Sequence, residues 1–121
     1  MIKITVILLE ILFFIFSLAG VEAEELCDCY GICTIIYPRN VNLNTKKSIK
    51  IRDGYTPNAK VDIDHKIPLC LGGANSIDNL QALVKDKHEI KTQHDVLLLY
   101  YVKNCLMTIE EAQQEALKWR K

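Results

Sequence analysis

The chain has 121 residues, which is room for one domain, and no helix-turn-helix or finger pattern of a dedicated recognition module is evident in it. Its 15 basic side chains balance its 15 acidic ones, so overall charge singles out no class of partner. The part left to fold after an apolar N-terminal run is small, and a core of that size needs cross-links, a metal or a partner to hold it.

The N-terminus carries Lys3, an apolar run over residues 4–21 and then Val21-Glu22-Ala23, with short residues where a signal peptidase reads. This is the pattern of a secretory signal peptide over residues 1–23, cleaved after Ala23. Glu10 departs from it. The competing reading is an uncleaved membrane anchor, although the run is barely long enough to span a bilayer and a carboxylate in it is costly. Cys27, Cys29, Cys33, Cys70 and Cys105 all follow the cut, and export to a secreted or periplasmic location makes disulfides their expected use. An odd count leaves one thiol free or joined to another molecule, and spacing does not assign the pairs. A zinc knuckle at Cys27, Cys29 and Cys33 lacks the usual two-residue ligand gap and a second Cys/His pair.

Residues 24–58 read as a lead-in region, acidic at Glu24, Glu25 and Asp28 and then basic at Arg39, Lys46, Lys47, Lys50, Arg52 and Lys60 just beyond it. The basic stretch suits a phosphate backbone and equally a solvated loop. Within it, 34–37 is a short edge strand stopped by Pro38, and the alternation at 48–52 predicts a second strand before the Asp53-Gly54 turn. From 59 to 121 the elements are better marked. Residues 60–64 alternate, with Val61 and Ile63 on one face and Asp62 and Asp64 on the other. The Gly72-Gly73 pair offers positive-φ freedom for a reversal, and 80–84 returns as the second strand of a hairpin. Residues 85–103 contain no Gly or Pro and predict a helix, buried on most sides over the apolar run 96–102. Thr108 followed by Glu111 is a capping box that starts a final helix ending near Trp119, with Ile109, Ala112, Ala116 and Trp119 packing back on the domain.

The chemistry concentrates between Asp62 and His88. A carboxylate and a neutral imidazole are ligands for a divalent cation, which nominates Asp64 and His88. His65 has the intrinsic pKa of a general base, and on a strand it points away from Asp64. Asn79 does not titrate usefully, so its work is to hold the loop backbone and thereby His65. His94 is rotated away from His88, Asp95 lies two turns along the same face, and Cys70 reads as structural rather than nucleophilic.

Asp64-His65-Lys66-Ile67-Pro68-Leu69, Gly72-Gly73, Ile77-Asp78-Asn79-Leu80-Gln81-Ala82-Leu83 and Lys85-Asp86-Lys87-His88-Glu89-Ile90-Lys91-Thr92 together resemble the signature of HNH nucleases, the ββα-metal family. The resemblance covers about residues 60–92. It implies an α+β fold, a hairpin and a helix around one Mg2+, Mn2+, Ni2+ or Zn2+ ion, with cleavage of phosphodiesters to 5′-phosphate and 3′-hydroxyl ends. By that resemblance Asp64 and His88 match the metal ligands, His65 the base and Asn79 the middle asparagine. Many HNH proteins have cysteines at the positions of Val84 and Lys87 as half of a zinc site, so disulfides are expected to replace that zinc here. Lys85-Asp86, Glu89 and the stretch 108–119 are similar to a group of exported HNH-like proteins in which the final histidine varies.

The expectation is therefore an exported metal-dependent endonuclease of low sequence specificity, acting on nucleic acid, DNA more readily than RNA, with Arg52, Lys66 and Lys91 as contacts to the strand. A contrasting expectation is a secreted, disulfide-stabilised binding or inhibitory protein that keeps the scaffold without activity.

Overall fold

The computed structural model describes residues 23–120, so the expected signal segment lies outside the described residues apart from Ala23. The described chain is α+β. Two separate antiparallel strand pairs, β1 (Glu24–Cys27) with β2 (Cys33–Ile36) and β3 (Asp62–His65) with β4 (Leu80–Leu83), accompany helices α1 (Leu43–Arg52), α2 (Lys85–Lys103) and α3 (Ile109–Lys118). No helix among the described residues is long and apolar enough to cross a membrane.

The first hairpin joins Glu24 to Ile36 and Cys27 to Cys33 in register, and those two cysteines form a disulfide. Cys29 is bonded to Cys105 at the end of α2, and Cys70 is the free thiol. Two disulfides agree with an oxidising, non-cytoplasmic compartment. Asp28, in the turn, accepts from the backbone N–H groups of Tyr30 and Ile32 through Oδ1 and from that of Ile109 through Oδ2. One carboxylate thus ties the hairpin to the start of α3. Burial works against the charged Asp28, but the three backbone donors outweigh it and hold its pKa below the ordinary value.

Residues 48–52, expected as a strand, form the second half of α1. The Asn42 side chain accepts from Thr45 N and starts the helix upstream of the alternating piece. Two isoleucines two positions apart cannot share a helix face, and accordingly Ile49 is fully buried while Ile51 is exposed. Ile49 packs with Ile63, Leu80 and Ala82 in one core cluster, so α1 covers one face of the β3–β4 hairpin. A second cluster, Leu71, Leu98, Val102, Ile109, Ala112 and Ala116, joins α2, α3 and the loop after β3.

The helix over 85–103 forms as expected, but its apolar run is not buried on most sides. Leu98 and Val102 are buried, one helical turn apart, whereas Val96, Leu97 and Tyr100 are exposed. Among the described residues α3, the loop after β3 and Leu26 of β1 pack against this half of α2, and they cover one stripe. Thr108 caps α3 by accepting from Glu111 N, and Ile109, Ala112 and Ala116 form its buried face.

Candidate functional site

The β3–β4 pair sets Asp62 opposite Leu83, Asp64 opposite Gln81 and His65 opposite Leu80. Strand alternation turns Asp62 and Asp64 toward α2, where one histidine meets both. His88 Nδ1 is 2.8 Å from Asp62 Oδ2, and its Nε2 is 3.6 Å from Asp64 Oδ1. Asp62 thus orients the ring so that its second nitrogen faces Asp64, the arrangement in which a carboxylate steadies a metal-ligating imidazole. Two ligands of one divalent cation, each about 2.1 Å from it, are separated by roughly 3.0–3.4 Å, so the pair needs only a small closure to share an ion.

Asp64 has further neighbours on the same face. Gln81 Nε2 donates to Asp64 Oδ2 at 3.1 Å, and Lys91 Nζ lies 3.7 Å from that oxygen. Lys91 is fully buried, and its ammonium donates to both oxygens of Asp95 at 2.7 Å and to the His65 carbonyl. Burial pushes the Asp95 carboxyl up, against the Lys91 charge. Lys91 is therefore not a surface contact for a nucleic-acid strand; its charge is spent on the carboxylates beneath the site. Asp95, expected outside the site, is the counter-ion of that buried lysine.

His65 faces away from Asp64 into the loop side, where its Nε2 is 3.0 Å from Asn75 Oδ1. The Asn75 amide has no freedom to flip, because Asn40 N–H donates to Oδ1 and Nδ2 donates to the Pro38 carbonyl. Its oxygen must accept from His65, which places the imidazole proton on Nε2 and the lone pair on Nδ1. Burial, more than any neighbour, lowers the His65 pKa; the Arg39 and Lys91 charges act in the same direction, against Asn75 and Asp64.

Asn79 holds the loop as expected of it. Its Oδ1 accepts from Ile67 N and its Nδ2 donates to the carbonyls of Ile67 and Ala74, each at 2.9 Å. The two glycines differ in kind. Gly72 has φ of +83° and a Cβ there would meet the Thr34 side chain, whereas a Cβ at Gly73 would collide with backbone, the Ile67 carbonyl that Asn79 binds.

The remaining nominated residues divide. Arg52 donates to Asp53 and to the carbonyls of Ile77 and Leu80, so it fastens α1 to the β4 entry rather than offering a free fork to a strand. Lys66 is half-buried, with Nζ on the Asp78 carbonyl. Cys70 is half-buried and burial pushes its thiol up, away from nucleophilic character. His94 stays outside the cluster, and nothing in the structure explains its buried, unpartnered Nδ1.

Among the described residues, the group of three potential ligands with mutually close atoms is Glu25, Cys27 and Cys33, within 4.8 Å. Cys27 and Cys33 are disulfide-bonded, and the thiolate is the form that binds metal, so this set can act only after reduction. In the sequence Asp62 is placed on the Asp64 face without a role, Gln81 enters only within the resembling motif, and Asn75 is not singled out. For Asp62 the signal was present in its two-residue offset from Asp64, but the other two carry none. No family model, curated protein or solved structure matches the chain.

Proposed function

We propose that this protein is an exported, metal-dependent endonuclease of the ββα-metal type that hydrolyses phosphodiesters with low sequence specificity, DNA more readily than RNA. The observation that carries the reading is the facing pair Asp64 Oδ1 on β3 and His88 Nε2 on α2, 3.6 Å apart and steadied by Asp62, with His65 at the end of the same strand.

In this reading His65 removes a proton from the attacking water through Nδ1, the nitrogen that its bond to Asn75 leaves unprotonated. Its lowered pKa keeps the ring neutral near pH 7, as a base must be. Asn79 preserves the backbone turn that follows His65, and Arg39, exposed and tied through Nη2 to the Ile63 carbonyl beside His65, meets the phosphate charge with its remaining N–H groups. Asp64 and His88 would hold the cation, which would supply positive charge to the departing oxygen. Gln81 and Asp62 fix the orientations of those two ligands.

Supercoiled plasmid incubated with the protein and magnesium, manganese, nickel or zinc tests the proposal. Nicking with at least one metal, reduced about 10²–10⁴-fold by His65→Ala, is expected for the loss of a general base. No nicking of plasmid and no cleavage of a single-stranded oligonucleotide with any metal, or equal cleavage by the variant, defeats the reading and favours a binding protein on this scaffold.

A further inference from the structure

A second concavity adjoins the Asp64 side of the hairpin. It is a cavity of about 360 Å³ lined by Lys66, Gln81, Ala116, Leu117, Trp119 and Arg120. That volume is at the small end of the roughly 300–1,000 Å³ typical of small-ligand sites. Its lining is chemically selective, because among the described residues two cations and one indole line it and no side-chain carboxylate does. Trp119 is only half-buried at the end of α3, so core packing leaves part of its ring available.

Two links join the cavity to the candidate site. Lys66 immediately follows His65 and its ammonium is steadied by the Asp78 carbonyl. Gln81 lines the cavity and also donates to Asp64 Oδ2, so a single side chain separates the cavity from a proposed metal ligand. Arg120 also lines the cavity, and its Nη1 donates to the carbonyl of Leu117, another lining residue.

We infer that this cavity is a nucleotide subsite, in which an unpaired base of a nucleic-acid strand stacks on Trp119 while its phosphates lie between Lys66 and Arg120. An indole face accepts any base, and Lys or Arg accepts any phosphate, so the subsite selects single-stranded character without selecting sequence. A base paired in a duplex has its face covered by its neighbours and cannot enter. The inference names the substrate class of the site proposed above and rests on that reading.

Trp119 is the chain's one tryptophan, so its fluorescence reports on this cavity directly. The wild-type protein in EDTA, where no metal is available for cleavage, is titrated with a short oligothymidylate, an oligouridylate and a blunt duplex. Saturable quenching by the single strands and little by the duplex is expected, with the two single strands separating DNA from RNA preference. Lys66→Gln and Arg120→Gln should each weaken binding several-fold and lower the log–log salt slope by about 0.7. Trp119→Ala, followed by anisotropy of a labelled oligonucleotide, should lose about tenfold or more in affinity. Equal thermal melting of the variants shows that a loss is local, and if Trp119→Ala does not fold, the two charge variants still decide the matter.

Absence of quenching, or quenching that survives both charge variants, overturns the subsite. Nicking without quenching leaves the nuclease reading standing and removes the subsite. Quenching without cleavage of either plasmid or the bound single strand, with any of the four metals, does the reverse.

Discussion

The two hairpins have the same length and the same antiparallel pairing, yet different forces hold them. In β1–β2 every residue is exposed or half-buried, and the pair is tied by Cys27–Cys33 and anchored to the end of α2 by Cys29–Cys105. In β3–β4 all residues but Asp62 are buried, and the pair is held by the Ile49 cluster on one face and a polar network on the other. A two-stranded pair is marginal by itself. Where the small core reaches, packing supplies the remainder; where it does not, covalent bonds do. The candidate site sits on the packed hairpin, whose side chains are fixed from both faces.

The sharpest way to break the packed hairpin is through Lys91. Lys91→Met leaves Asp95 buried without its partner and should cost about 3–5 kcal/mol in urea denaturation, while the double variant Lys91→Met/Asp95→Leu should recover most of it. Recovery of stability without recovery of nicking would separate the pair's structural work from its support of Asp64 and the His65 carbonyl. The corresponding cut in the first hairpin is Cys29→Ser/Cys105→Ser. That bond spans a sequence separation of 76, and its loss should cost about 4 kcal/mol by the same measurement. Removing Cys27–Cys33, with a separation of 6, should cost about 2 kcal/mol.

Smaller effects test the joints. Gly73→Ala forces the Ile67 carbonyl to move and should cost about 2 kcal/mol while disturbing the loop that Asn79 fixes; nicking should fall further than the melting temperature suggests. Thr108→Ala removes the cap of α3 and should cost about 1 kcal/mol. Asp28 gives a signature in pH. Its folded-state pKa is below the ordinary carboxylate value of 3.8, so its contribution is present above that value and is lost as pH falls through the folded pKa. Asp28→Asn should therefore flatten the acid limb of a plot of melting temperature against pH.

The second hairpin, α2 and the capped α3 were legible because their signals are local: alternation ended by Pro68, a long stretch free of Gly and Pro, and a hydroxyl three residues before a glutamate. The segment 48–52 was not legible, since alternation over five residues fits a strand while the cap that starts the helix, Asn42, lies six residues upstream. Burial of 96–102 was overestimated for a related reason, as hydrophobicity states what a helix can bury and not how much surface its neighbours cover.

In the candidate site, the sequence by itself determined the inventory: an acidic pair two residues apart on a strand, a histidine at its end, an asparagine in the loop and a histidine on the next helix. Local periodicity places such groups on a face, as it does Asp62 and Asp64 on β3. Only the tertiary structure decided which cysteines pair, that Asn75 directs the His65 proton, that Lys91 is interior and Arg52 committed to carbonyls, and that Trp119 stands beside Lys66. Each of those depends on contacts between residues far apart in the chain, or on burial, and periodicity carries no information about either.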